Sequence, residues 1–160
     1  MAGLINGEVH VYDSSTDSLK HLQKIECRNR TGKFSKGQKV TGIEFMNSVN
    51  MPNCVMVTTN DSRIRFINIK DRKVLLKIKG HKNESFFSRG SLSNDFAHAI
   101  CASEDGAVFL WNNIEQLVFE SSKRGRLSKM FKTNKLGEYE YFSMSQQPAK
   151  DIKSQLNYAR

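Results

Sequence analysis

The chain has no run approaching the ~18 consecutive apolar residues that would carry it across a bilayer. Its first residues, Met1-Ala2-Gly3-Leu4-Ile5-Asn6, offer neither a basic n-region nor an apolar h-region, so a secretory leader is not expected. The three cysteines, Cys27, Cys54 and Cys101, are odd in number, far apart and without metal-type spacing. That argues against a disulfide framework or a zinc site and fits a reduced, cytoplasmic or nuclear setting; a cytoplasmic location is the expectation. His10, His21 and His98 are dispersed, with no His, Cys or carboxylate at ligand spacing, so neither a metal nor another cofactor is expected. Two blocks lack acids altogether. Arg28 to Lys39 holds five cations (Arg28, Arg30, Lys33, Lys36, Lys39), and Lys123 to Lys135 holds six (Lys123, Arg124, Arg126, Lys129, Lys132, Lys135). They account for much of the net charge of +9. Such blocks read either as solvated loops or as a footprint for anionic lipid, nucleic acid or an acidic protein surface.

What the chain does have is a threefold repeat of turn chemistry. Asn6-Gly7-Glu8-Val9-His10-Val11-Tyr12-Asp13, Asp61-Ser62-Arg63-Ile64-Arg65-Phe66-Ile67-Asn68 and Asp105-Gly106-Ala107-Val108-Phe109-Leu110-Trp111-Asn112 each launch an alternating apolar run from a short polar turn. The copies sit about 55 and about 44 residues apart, in or near the period of propeller blades. Asn6-Gly7 is a hairpin signal, because both positions tolerate positive φ.

Around these turns the sequence predicts short strands at 3–5, 9–12 and 20–27; at 39–45, 54–59, 64–69 and 74–78; and at 87–92, 98–103 and 108–111. Val55-Met56-Val57 and the run 97–102 read as inner strands covered on both faces. In Ile64-Arg65-Phe66 the apolar residues alternate with polar ones, which places Arg63 and Arg65 on the solvent phase as candidate partner-binding arginines. Residues 29–38 read as a loop, and no amphipathic helix is expected before residue 113. Leu117 to Glu120 reads as one further strand. Residues 121–160 form a basic, polar tail expected to be partly disordered, with an isolated aromatic cluster (Tyr139, Tyr141, Phe142) and a short helix at 150–158.

Gly80-His81, Ser103-Glu104-Asp105-Gly106 and Leu110-Trp111-Asn112 together resemble a WD repeat, with Trp-Asn in place of the usual Trp-Asp. The resemblance implies a hydrogen-bonded structural tetrad of His81, Ser103, Asp105 and Trp111. The second unit keeps Thr59-x-Asp61 but has Gly37-Gln38 where Gly-His belongs and Ile67 where Trp belongs, so its tetrad is incomplete. The runs 39–43, 57–65, 79–81, 93–96 and 103–106 are similar to the rabphilin-like WD-repeat protein 44 group, over roughly residues 1–113. That likeness implies a role in vesicle trafficking or signalling, with a small GTPase or trafficking complex as partner, and transfers no GTPase-contacting residue.

The fold expected is therefore all-β: a partial WD-repeat propeller of two to three four-stranded antiparallel blades (approximately 1–28, 39–79 and 85–120, together 1–120), followed by the tail. The function expected is a non-catalytic scaffold for other proteins, without a small-molecule substrate. The competing reading is a binding module for anionic membrane or nucleic acid through loops 28–39 and 123–135, with Lys123, Arg124 and Arg126 as contacts. Ser128, in Arg124-Gly125-Arg126-Leu127-Ser128, is the candidate phosphorylation site. Ser103, His81 and Asp105 also match a hydrolase triad by type, but no Gly-x-Ser-x-Gly elbow presents the serine. Residues 32–37 have phosphate-loop spacing yet continue Gln38-Lys39, without the lysine and hydroxyl such a loop needs. About two and a half blades leave strands open, so the chain is expected to be part of a longer protein or to self-associate.

Overall fold

The computed structural model describes residues 1–15, 17–29, 31–123 and 139–143, the last stretch as backbone alone. The first sheet holds β1 (Ala2–Gly3), β2 (Glu8–Asp13) and β3 (Lys20–Glu26), in that order. The second holds β4 (Val40–Met46), β5 (Cys54–Thr59), β6 (Arg63–Asn68) and β7 (Lys73–Ile78). The third holds β8 (Ser91–Leu92), β9 (Ala99–Ala102), β10 (Ala107–Trp111) and β11 (Tyr139–Ser143), with α1 (Ile114–Lys123) between its last two strands. Every pairing is antiparallel.

The repeated turn chemistry has a direct backbone counterpart. Gly7, Ser62 and Gly106 all take positive φ, at 80°, 57° and 83°. Two glycines adopt this region freely, whereas Ser62 holds it against the cost of a Cβ. Its hydroxyl accepts the Asn83 amide at 3.0 Å, and its own amide donates to the Asn83 carbonyl at 3.2 Å.

The sheets stack face to face as blades. Val9, Val11 and Ile25 of the first meet Val55, Val57 and Ile67 of the second. Met56, Ile64 and Phe66, from the opposite face of the second, meet Ala99, Cys101, Ala107, Phe109 and Trp111 of the third. The middle sheet is thus covered on both sides, and every residue of β5 is buried. The innermost strands run side by side, β1 against β4 and β4 against β8. The Val40 amide reaches the Leu4 carbonyl at 3.1 Å, and the Gly90 amide reaches Thr58 Oγ1 at 3.1 Å. All three thiols are buried, and desolvation pushes Cys27 up to about 12 and Cys54 and Cys101 up to about 11.

Two sequence expectations need correcting at the C-terminal side. Residues 117–120 are not a strand but the middle of α1. The governing period is four: Ile114 and Val118 are both fully buried, in one cluster with Ile78, against which Leu75 and Leu76 of β7 pack. The first helical amides are satisfied by the Ala97 and Phe96 carbonyls at 2.9 and 3.1 Å, and Glu115 and Lys123 suit the dipole at the two ends. The helix packs on the outer strand of the middle sheet. The cluster read as isolated, Tyr139, Tyr141 and Phe142, lies in β11, whose register sets Trp111 opposite Tyr139 and Phe109 opposite Tyr141. The helix expected at 150–158 lies outside the described residues.

The third sheet's first strand is also shorter than expected. It spans only Ser91–Leu92, which leaves Phe86 and Phe87 in the preceding loop. No helix among the described residues is long and apolar enough to cross a membrane.

Candidate interaction surface

His81 lies in the connection from β7 to β8 and is almost wholly buried, as is Trp111 at the end of β10. Their rings meet edge to face with centroids 5.5 Å apart, and Phe109 stacks on Trp111 at 5.7 Å. Both His81 ring nitrogens are buried without a hydrogen-bond partner among the described residues. Burial pushes the imidazole down to about 4; Asp61 pulls against this and Arg63 adds to it.

Ser103 bonds to the residue after His81. Its hydroxyl accepts the Lys82 amide at 2.8 Å and donates to the Lys82 carbonyl at 3.4 Å. Asp105 is exposed, and its carboxylate accepts the Ala107 amide at 3.3 Å. The Ser103 hydroxyl, ahead of that amide, holds the Asp105 carboxyl below its ordinary range. So the four residues read as a tetrad share one neighbourhood, with aromatic contact between His81 and Trp111 and polar bonding around Ser103. A serine nucleophile would need its hydroxyl on the imidazole, and Ser103 instead bonds to Lys82. Among the described residues no group of His, Cys, Asp and Glu could hold a metal ion.

The second blade solves the same position differently. Arg65, placed on the solvent phase by its alternation, is fully buried. The physical reason is the middle sheet's double cover, which leaves β6 no solvent face. Its guanidinium donates to Asp61 Oδ1 at 3.0 Å, to Asp61 Oδ2, to Thr59 Oγ1 at 2.5 Å and to Asn29 Oδ1 at 3.2 Å. Thr59 Oγ1 donates to Asp61 Oδ1 at 2.6 Å. Asn29, which follows β3, thereby ties the first blade to the second. Arg65 cannot meet a partner as folded. Arg63 is half-buried and spends one nitrogen on the Asp61 carbonyl at 3.2 Å.

The exposed chemistry lies in loops that sequence reasoning did not single out. Glu104 Oε1 accepts three consecutive amides, from Glu84, Ser85 and Phe86, at 2.7, 2.6 and 2.9 Å. These amides, that of Phe86 foremost, hold its carboxyl below the ordinary range. The loop so anchored presents Phe86 and Phe87 at 69% and 75% exposure. The available signal was two adjacent phenylalanines set between Glu84-Ser85 and Ser88-Arg89, which breaks the strand alternation. Of the basic contacts named in the second block, Lys123 is exposed, with its ammonium 4.0 Å from the Phe119 ring centroid. Arg124, Arg126 and Ser128 lie outside the described residues.

No family model matches the chain. WD repeat-containing protein 44 of Xenopus laevis is 36% identical over 125 residues, covering 78% of this chain and 13% of that protein. WD repeat domain-containing protein 83 of Rattus norvegicus is 32% identical over 120 residues, covering 72% of this chain and 32% of that protein. The 2-deoxy-glucose resistant protein 2 of Saccharomyces cerevisiae is 32% identical over 105 residues, covering 64% of this chain and 12% of that protein. The chain therefore spans a third or less of the length of each of these relatives.

Proposed function

The chain belongs to the WD-repeat family, and from that premise we propose that it acts as a scaffold that binds other proteins and performs no catalysis of its own. The observation that carries this reading is the stack of three antiparallel sheets. Its interior is filled by apolar side chains, the Arg65–Asp61 pair and buried polar residues such as His81, Asn60 and Asn83, so what it offers is loops and two open blade faces. The test is capture of defined partner proteins by the whole chain, repeated across ionic strength. A scaffold keeps its partners at roughly 0.5 M salt, whereas purely electrostatic association collapses. Loss of every partner at high salt overturns the reading.

The finer proposal places those partners in vesicle trafficking or signalling in the cytoplasm and includes a small GTPase among them. Its support is the likeness to WD repeat-containing protein 44. It is tested by comparing binding to candidate GTPases in their triphosphate and diphosphate forms.

The open faces support a further proposal, that another blade packs on each, from a longer chain or a second copy. One face carries Glu8, His10 and Tyr12, with His10 and His21 ring centroids 5.0 Å apart. The other carries Ile100, Val108 and Leu110, with Ile100 45% exposed. Light scattering on the 160-residue chain gives a dimer or larger species if copies complete each other, and Leu110→Asp dissolves it. A monomer that unfolds cooperatively at all concentrations overturns the need for cover.

A further inference from the structure

Phe86 and Phe87 are adjacent and more than two-thirds exposed, although a phenylalanine normally gains by leaving water. Slack in the backbone does not explain this. The Glu104 carboxylate grips the three amides from Glu84 to Phe86, and the Ser88 carbonyl is held by Thr41 Oγ1 at 2.7 Å and Asn83 Nδ2 at 3.1 Å. The loop is pinned on both sides of the two rings, so their exposure is built in.

The surroundings are cationic. Lys39 lies 5.2 Å from the Phe87 ring centroid, and Lys33, 5.0 Å from the Phe34 ring, reaches Glu84 at 3.6 Å. Both lysines come from the acid-free block 28–39. Glu84 and Glu104 keep their negative charges, but Lys33, Lys39, Lys82 and Arg89 around the loop outnumber Glu44, Glu84 and Glu104 by one. Two hollows of the surface, one along Val40–Ile43 beside Gly3 and Arg89, the other between Phe45 and Ile69, leave both rings outside. A peptide would want a groove. Projecting aromatics with Lys39 at the Phe87 ring and Lys33 on the neighbouring Glu84 match a planar surface that is apolar beneath and anionic on top.

We propose that the loop from Glu84 to Arg89 docks this chain on an anionic membrane surface, with Phe86 and Phe87 entering the interfacial layer and Lys33 and Lys39 meeting the headgroups. The inference stands on these loops and does not depend on the scaffold reading.

The test is co-sedimentation of the full chain with phosphatidylcholine vesicles, with and without about one-third phosphatidylserine. Wild type is expected on the anionic vesicles alone. Phe86→Ser with Phe87→Ser is expected to lower partitioning by on the order of tenfold, with an unchanged thermal midpoint. Lys33→Glu with Lys39→Glu should also weaken it, which separates these loops from the basic residues beyond Lys123. In a second variant, Phe87→Trp, brominated lipid should quench the new fluorophore, because the native Trp111 is buried. Equal binding by the double serine variant overturns the proposal, as does an unquenched Trp at position 87. So does binding to an acidic peptide in place of vesicles.

Discussion

Arg65 and Asp61, four residues apart across the repeated turn, form an ion pair with 0% and 2% of their side chains exposed. The pair occupies the second blade where the third has Phe109 packed beside the touching rings of His81 and Trp111. A buried charge costs several kcal/mol in lost hydration, which a partner recovers only with good geometry and further hydrogen bonds. Here Thr59 and Asn29 supply those bonds, and of the pair's polar atoms only Arg65 Nε has no partner among the described residues.

Removing one member should therefore hurt more than removing both. Arg65→Met leaves the Asp61 carboxylate buried and should cost about 3–5 kcal/mol in urea unfolding. Adding Asp61→Asn to it should recover a good part of that loss. If Arg65→Met unfolds within roughly 0.5 kcal/mol of wild type, the pair has no structural weight.

Gly37 tests how the basic loop is held. Its φ is 89°, and a Cβ there would stand 1.9 Å from the Asn6 carbonyl oxygen, in the first blade's hairpin turn. Gly37→Ala should destabilise by roughly 2 kcal/mol or more, since strain and a backbone clash add. Gly32→Ala is the control. That residue has φ 91° but open space around it, so only the conformational cost of about 1–2 kcal/mol remains. Equal losses for the two would mean the loop does not rest on the turn.

His81 gives the fold an acid-sensitive point. Burial sets its folded value at about 4, below the ordinary histidine value of 6.5, with Asp61, Arg63 and Asp105 the charges that act on it. The unfolded chain therefore takes up this proton first as pH falls. The stabilisation is present above about pH 6.5 and is lost towards pH 4, at a slope of up to about 1.4 kcal/mol per unit. Denaturant midpoints should drop across that window, and His81→Gln should flatten the drop. An unaltered profile in the variant would assign the sensitivity elsewhere.

How much of this was legible in the sequence follows from how local each feature is. The turns at Gly7, Ser62 and Gly106 and the strands beside them depend on neighbours one or two residues away, and alternation displays them. Arg65 was misplaced because Ile64-Arg65-Phe66 alternates like a half-exposed strand; only the two flanking blades determine that both of its faces are covered. Ile114 and Val118 carry a four-residue period too short to stand out beside four apolar-rich positions. β11 pairs with β10 across an intervening helix, so nothing near Tyr139 signals it. Tetrad residue types were readable, but Ser103 bonding to the Lys82 backbone is a matter of tertiary distance.

Glu104 offers the most local of the tests. Its Oε1 atom alone accepts the Glu84, Ser85 and Phe86 amides, so Glu104→Ala should free all three together. Amide exchange at those positions should accelerate on the order of tenfold or more, while β5 and β6 keep their protection. Acid should do the same reversibly. Because the amides hold this carboxyl below its ordinary range, the anchor survives through the normal glutamate titration and is lost as pH falls through the lowered value. Amide shifts of Ser85 and Phe86 that move together in an acid titration, and stand still in Glu104→Ala, are the expected signature. Shifts that persist unchanged in the variant would mean another group holds the loop.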